Sequence, residues 1–359
     1  MTRAGEDAPP PRRPRPEAKP DLAMRLLRLA TSGYAGVAAR TRTRAVVAVN
    51  RDVDLIVSRT APEAADVIGV TLGAADGGEL PEWTPGSHID LILPSGRMRQ
   101  YSLCGDPDDR LSYRIAVRRL DAGGGGSLEV HALRAGTAVR ARGPRNAFPF
   151  AYPHLARRDI RRVEFIAGGI GITALLPMVR AAAASDTPWG LTQIGRNAAT
   201  IPFGAEIAAL GGGNVRVLHG RRPIPEVLAN VGPQTSVYFC GPPAFLGDVR
   251  AALDSHEHAG FHFERFAPPP VVDGRPFIVH LERSGLDVQV PADRSALAAI
   301  RDVLPTVPYS CQQGFCGTCR AALVEGTVTR RGTARFLDRP GTMLVCVDRC
   351  EGGELTLDL

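Results

Sequence analysis

Four cysteines mark the clearest chemistry in this sequence. Cys311, Cys316 and Cys319 fall within the run Cys-Gln-Gln-Gly-Phe-Cys-Gly-Thr-Cys, and Cys346 lies further on. The C-x4-C-x2-C…C spacing is that of a plant-type [2Fe–2S] site. Two ferric ions call for soft, anionic sulfur, which four thiolates supply. Gly314 and Gly317 allow the loop to curl and turn its N–H groups toward the sulfurs. A zinc knuckle normally pairs two C-x2-C elements, and the chain has only one. Cys350, four residues beyond Cys346, is a competing thiolate.

Three further runs have residue types suited to cofactors. In Arg99-Gln-Tyr101-Ser102, a cation can pair with a phosphate, an aromatic ring can lie along an isoalloxazine, and a hydroxyl can hydrogen-bond near its N5. Taken alone, that run also suits an ordinary exposed strand. The glycines 123–126 and Ser127 precede a possible helix, Leu128 to Leu133, and offer backbone N–H groups to a phosphate, or simply a flexible turn. An apolar strand, Val163–Ala167, leads into Gly168-Gly169-Ile170-Gly171-Ile172-Thr173 and then a helix, where a pyrophosphate can sit. A second strand, Ser236–Cys240, ends in Cys240-Gly241-Pro242-Pro243, leaving room for a planar ring. Each of these last two can equally be plain punctuation between strand and helix, but two such ends in one parallel sheet favour a ligand crevice.

The elements that must position these residues fall into three folded units. Residues 44–152 show short alternating runs separated by Gly and Pro turns, which predicts an antiparallel β-barrel or sandwich. Residues 153–266 alternate strand and helix, which predicts an α/β doubly wound parallel sheet. A proline-rich linker, 267–275, leads to residues 276–359, where a hairpin, a helix near Ser295–Val303, the cysteine loop and returning strands suggest a β-grasp module.

Composition narrows the functional classes. The chain has 359 residues and a net charge of +6, but residues 1–43 hold nine Lys/Arg against four Asp/Glu, so the remainder is close to neutral. A folded face for nucleic acid would concentrate basic residues, so no nucleic-acid partner is expected. Residues 1–20 read as disordered. Residues 22–39 offer a weak basic amphipathic helix, interrupted by Gly33 and Gly36; it can touch a membrane surface or stay a plain extension, and the plain extension is favoured. No apolar run reaches the roughly 18 residues of a spanning helix. Seven cysteines, four with a proposed task, and no secretory pattern point to a reducing cytoplasm.

Together the three units resemble the phthalate dioxygenase reductase and vanillate O-demethylase reductase family over about residues 44–359. The resemblance implies a multidomain chain with a flavin-binding barrel, a pyridine-nucleotide domain and a C-terminal ferredoxin, in that order. It implies that Arg99, Tyr101 and Ser102 form the flavin strand, and Gly125, Gly126 and Ser127 the flavin-phosphate loop. Gly168, Gly169, Gly171 and Thr173 would line the nucleotide pyrophosphate, with Cys240, Gly241 and Pro242 beside the nicotinamide. Gly143-Pro-Arg-Asn-Ala-Phe148 is similar to the family's P-R-N-x-F segment, and Glu264-Arg-Phe266 to its E-x-F end. The order of units favours FMN over FAD, and the family favours NADH. After the strand ending near Ile194, however, Gly195-Arg196-Asn197 has no acid for a ribose diol, which leaves NADPH open.

The chain departs from the family in two places. Thr329-Arg330-Arg331 stands where the family often has H-R-D, and Cys346-Val-Asp348-Arg349-Cys350 where it has C-V-S-R-A. By the family's pattern Cys346, following strand Met343–Val345, is the fourth ligand.

The implied activity is an oxidoreductase reaction. A nicotinamide passes a hydride to the flavin, which releases electrons singly to a cluster at roughly −400 mV and so to a protein acceptor. Ser102, Thr173 and Cys240 are the candidates to position and polarise the reacting rings. The leading acceptor is a Rieske-type oxygenase acting on an aromatic or similar compound. The alternatives are a haem-thiolate monooxygenase or a desaturase, or, in another class, a redox sensor without turnover. A monomer is expected.

Overall fold

The computed structural model describes residues 52–121, 125–150, 160–185, 188–211, 215–266, 268–309, 312–314, 317–331, 339–350 and 352–359. The chain divides into two units, Met1–Asn50 and Arg51–Leu359. The expectations for residues 1–43 lie outside the described residues, as do those for Cys311 and Cys316.

The second unit contains three sheets. The first is antiparallel, with strands β1 (Asp52–Ala64), β2 (Val67–Ala74), β3 (Ser87–Ile92), β4 (Met98–Ser102), β5 (Ser112–Arg118) and β6 (Ala138–Asn146) in the order β4-β3-β6-β1-β2-β5. Apolar side chains such as Leu55, Val57, Val70, Leu72, Ile89 and Ile115 fill its interior, each fully buried. Burying such a side chain contributes about 1.5–3 kcal/mol. The outer strands β4 and β5 approach without a ladder among the described residues. Just past β4, the Cys104 N–H donates to the Arg114 carbonyl of β5 at 2.8 Å and pins the seam. Helix α1 (Gly126–Ala132) follows β5.

The second sheet is wholly parallel: β7 (Arg162–Gly168), β8 (Trp189–Gly195), β9 (Val215–His219), β10 (Thr235–Cys240) and β11 (Gly260–Glu264), in the order β11-β10-β7-β8-β9. Helices α2 (Ile172–Ala183), α3 (Gly204–Ala209), α4 (Ile224–Val227) and α5 (Pro243–Leu253) connect the strands. The order reverses between β7 and β10, and an open parallel sheet has its ligand crevice at the carboxyl ends of the strands at such a reversal. Strand β11 was not anticipated. Its five residues are half-buried at best on the sheet edge, so they lack a strong apolar signature.

The third sheet has β12 (Phe277–Leu281), β13 (Leu286–Val290), β14 (Arg320–Glu325), β15 (Thr342–Leu344) and β16 (Glu354–Leu357), in the order β13-β12-β16-β14-β15. Helix α6 (Ala296–Val303) lies against it and buries Leu297 and Ile300. The Ser295 hydroxyl caps it, accepting from the Ala298 N–H at 3.2 Å, as the Ser at the predicted start requires.

One hydrophobic core joins the first two sheets, since Val67, Ala116 and Phe148 pack with Phe165, Leu175 and Tyr238. The expected boundary at 152/153 falls outside the described residues. Among the described residues, no helix is long and apolar enough to cross a membrane.

Candidate functional site

The end of β7 lies so close to the end of β10 that only glycine fits. A Cβ on Gly168 would sit 2.7 Å from Pro242 Cδ, and one on Gly171 would sit 2.2 Å from the Cys240 carbonyl oxygen. Gly169 has φ +55, which turns the chain from strand into the short 3-10 turn that opens α2. The Thr173 hydroxyl donates to the Ile170 carbonyl at 2.9 Å and closes that turn.

A cavity of about 410 Å³ opens beside this crossing. Its walls bring together Arg99, Tyr101 and Ser102 of β4, Ser127 of α1, Gly168, Gly171 and Thr173 of the β7–α2 turn, and Gly241 and Pro242 after β10. Gln312 and Gln313, immediately after Cys311, complete it, together with Tyr309. Gly125 lies beside the Arg97 guanidinium, and Gly126 lies behind Arg99. A Cβ on Gly126 would meet the Arg99 Nε at 2.6 Å, so the bare glycine is what admits the guanidinium. The Ser127 hydroxyl accepts from the Leu120 N–H at 3.0 Å and donates to the Leu120 carbonyl at 3.1 Å, fixing the loop rather than pointing freely into the cavity. Gly169 instead lines a second cavity on the other side of the turn. Cys240 lines neither cavity. Its thiol is buried in the core, and burial raises its pKa well above the ordinary value.

One residue of the site had no signal of its own in the sequence beyond a family motif. The Ser102 hydroxyl donates to Glu264 Oε2 at 3.4 Å, across 162 residues of chain. Burial pushes the Glu264 carboxyl up to about 8, with the Ser102 hydrogen bond opposing the shift. Burial likewise takes the Tyr101 hydroxyl up to about 12, with Arg99 pulling the other way. Near neutral pH, then, Glu264 holds a proton beside Ser102, and Tyr101 is a neutral ring.

The cysteine loop shows the same local logic. Gly314 and Gly317 take φ +81 and +73, the left-handed turns that their place between cysteines predicts. Cys319 and Cys346 are both buried. They sit together because the β14–β15 ladder pairs Arg320 with Leu344, and the Val345 N–H donates to the Cys319 carbonyl at 3.3 Å. The Cys350 thiol donates to the Gly352 carbonyl at 3.0 Å. Two buried cysteines whose backbones this ladder brings together fit the sulfur ligation that a [2Fe–2S] cluster needs.

Residues 279–350 match the family described as 2Fe-2S iron-sulfur cluster binding domain. The chain is 35% identical over 325 residues to a putative toluene-4-sulfonate monooxygenase system reductase subunit of Comamonas testosteroni, covering 87% of this chain and 100% of that one. The solved structure of phthalate dioxygenase reductase superposes with a TM-score of 0.65 and 31% identity, over 86% of this chain and 98% of that one. The chain belongs to the phthalate dioxygenase reductase family. An intact type IV self-sufficient cytochrome P450 monooxygenase also superposes, with a TM-score of 0.65 and 32% identity, over 88% of this chain and 43% of that one.

As a member of the phthalate dioxygenase reductase family, the chain is an oxidoreductase with a [2Fe–2S] domain. Its two departures from the family pattern meet in space. Asp348, where the family has Ser, is buried and accepts from Arg330 Nη1 at 2.9 Å, the Arg331 N–H at 3.1 Å and the Leu344 N–H at 2.8 Å. The two departures therefore form one ion pair, Arg330 with Asp348.

Proposed function

We propose that this chain is the NAD(P)H-dependent reductase component of an oxygenase system, taking a hydride from a reduced nicotinamide nucleotide and delivering single electrons to a Rieske-type oxygenase. The observation that carries this reading is the shared 410 Å³ cavity. The strand expected to hold a flavin, the turn expected to hold a nucleotide and the glutamines beside the cysteine loop all line it. Three cofactors that must exchange electrons need such a meeting point.

A bound flavin supplies the conversion between two-electron hydride chemistry and one-electron transfer to a cluster. In this reading Arg99 faces the flavin phosphate, with FMN favoured by the order of the units. Tyr101, neutral over the whole physiological range, offers a ring face to the isoalloxazine. Ser102 orients the reacting edge, and its hydroxyl donates to Oε2 of Glu264, whose carboxyl burial pushes up to about 8. Gly168, Gly171, Gly241 and Pro242 line the cavity at the switch point, where the absence of larger side chains leaves room for a flat nicotinamide. Thr173 holds the turn that shapes this space. Cys240 acts from behind through its backbone, because its thiol is in the core. Cys311, Cys316, Cys319 and Cys346 are the proposed cluster ligands.

A second reading rests on the likeness to the self-sufficient P450 chain, in which the same electron path would feed a haem-thiolate centre. Purified protein tests both. The expected result is a coloured protein that releases FMN on denaturation, shows a reduced [2Fe–2S] paramagnetic signal, and reduces cytochrome c with a nicotinamide nucleotide. Reoxidation should be faster with a Rieske-type oxygenase than with a haem-thiolate enzyme. Bound cofactors without turnover would defeat the reductase reading in favour of the sensor.

A further inference from the structure

A second cavity, about 990 Å³, starts on the far side of the Gly168–Ile170 turn and runs across the carboxyl ends of β8 and β9 to α5. It is the continuation that a dinucleotide needs once its nicotinamide occupies the switch point. The Gly220 N–H donates to the Gly195 carbonyl at 2.9 Å, so the chain leaves β8 and β9 side by side. Arg196 follows Gly195, and Arg221 and Arg222 follow Gly220, so two adjacent strand ends deliver three guanidiniums to one rim.

The charge balance of this rim is unusual for a ribose diol, which a carboxylate at the end of the second strand commonly grips. Arg118, Arg196, Arg221 and Arg222 line the cavity against only Asp66 and Asp248. Asp66 is already used, accepting from Arg196 Nη2 at 2.8 Å through Oδ2, and its Oδ1 is buried. Arg222 makes only a loose approach to Glu226, at 3.9 Å, and Arg221 makes no ion pair among the described residues. Both side chains are exposed and face no competing acid closer than that. Two uncommitted guanidiniums beside an adenosine site call for a dianion.

We infer that the nucleotide of this chain is NADPH, with Arg221 and Arg222, supported by Arg196, holding the 2′-phosphate. The inference rests on the proposed function and departs from the NADH that the family resemblance implies. Asp248, on α5 at the same cavity, is the one carboxylate placed to argue for NADH instead.

Calorimetry on the full-length protein with adenosine 2′,5′-bisphosphate and adenosine 5′-monophosphate reads the rim without any turnover. The bisphosphate should bind at least about tenfold tighter, as charge-assisted hydrogen bonds of roughly 1.5–3 kcal/mol each require. The Arg221→Ala/Arg222→Ala double variant should erase that preference and lower the NADPH-to-NADH ratio of kcat/KM about 100-fold. Equal binding of the two adenosine ligands would overturn the inference, as would a wild-type preference for NADH. A bisphosphate preference that survives in the double variant would overturn the residue assignment. Failure of both nucleotides to drive cytochrome c reduction would instead strike the proposed function, while the binding comparison still judged the rim.

Discussion

At the scale of single residues, Glu264 is the most consequential side chain in the cavity. Its folded pKa, about 8, is raised by burial above an ordinary carboxylate value near 4.5. The sign of the linkage follows. Below about pH 4.5 the folded and unfolded chains both hold the proton, and the group is neutral in its effect. Between there and about 8 the folded chain holds it and the unfolded chain does not, so stability falls as pH rises through that window. Glu264→Gln removes the titration. The variant should match the wild type in thermal unfolding at pH 4.5 and unfold at a higher temperature at pH 8. An unchanged pH dependence in the variant would show that another group carries it. Ser102 was singled out in the sequence because its strand has a cation, an aromatic and a hydroxyl in one short run, and it lines the cavity. The pairing of Glu264 with Ser102 was not, since the two meet only across 162 residues. Cys240 shows the opposite failure. Its place at the end of a buried strand was legible, but the direction of its thiol, into the core, depends on packing that no local pattern records.

At the scale of elements, the β7–α2 turn shows what local sequence can and cannot say. Three glycines between a strand and a helix announce a close approach, and the spacing locates it. Which atoms approach depends on β10, whose end lies against that turn through the parallel register pairing Ala167 with Cys240. Gly171 has φ −59, which any residue adopts, so its requirement is steric and not conformational. Gly171→Ala would drive a Cβ into the Cys240 main chain, whose oxygen and carbon would lie at 2.2 and 2.5 Å. Overpacking of that kind costs about 1–3 kcal/mol. The expected result is a lower unfolding midpoint in urea and a raised KM for the nucleotide, because the slot widens as the two turns part. A full-affinity, full-stability variant would mean that the turn is pliant. Elsewhere the pattern sufficed. Ser295 before an apolar helical run placed the start of α6 within one residue. It was less exact for β1, which runs on for 13 residues through register shifts near Ser58 and Glu63 that no local pattern announces.

At the scale of the whole unit, ionic and hydrogen-bonded contacts distant in sequence hold the three sheets to one another. Arg114 of β5 reaches Glu206 of α3 at 2.9 Å and Glu63 of β1 at 2.8 Å, and Arg180 of α2 pairs with the same Glu206 and reaches back to the Cys104 carbonyl at 3.0 Å. None of these residues belongs to a motif, so composition could place three folded units in order but not dock them. The segment before the cysteine loop docks more lightly. The Tyr309 hydroxyl donates to the Met98 carbonyl at 3.0 Å, and Gln313 Nε2 donates to the Arg265 carbonyl at 3.1 Å. These two bonds flank Cys311 in sequence and tie its loop to β4 on one side and to the end of β11 on the other. Each is worth about 0.5–1.5 kcal/mol, enough to set the loop's mean position though not the fold. Electron transfer to the cluster depends on that position, and hydride transfer at the switch point does not. Tyr309→Phe combined with Gln313→Ala should therefore slow cluster reduction about tenfold in stopped-flow traces while the preceding nucleotide-driven phase keeps its rate. Slowing of both phases together would mean that the loop shapes the nucleotide slot as well as the exit from it.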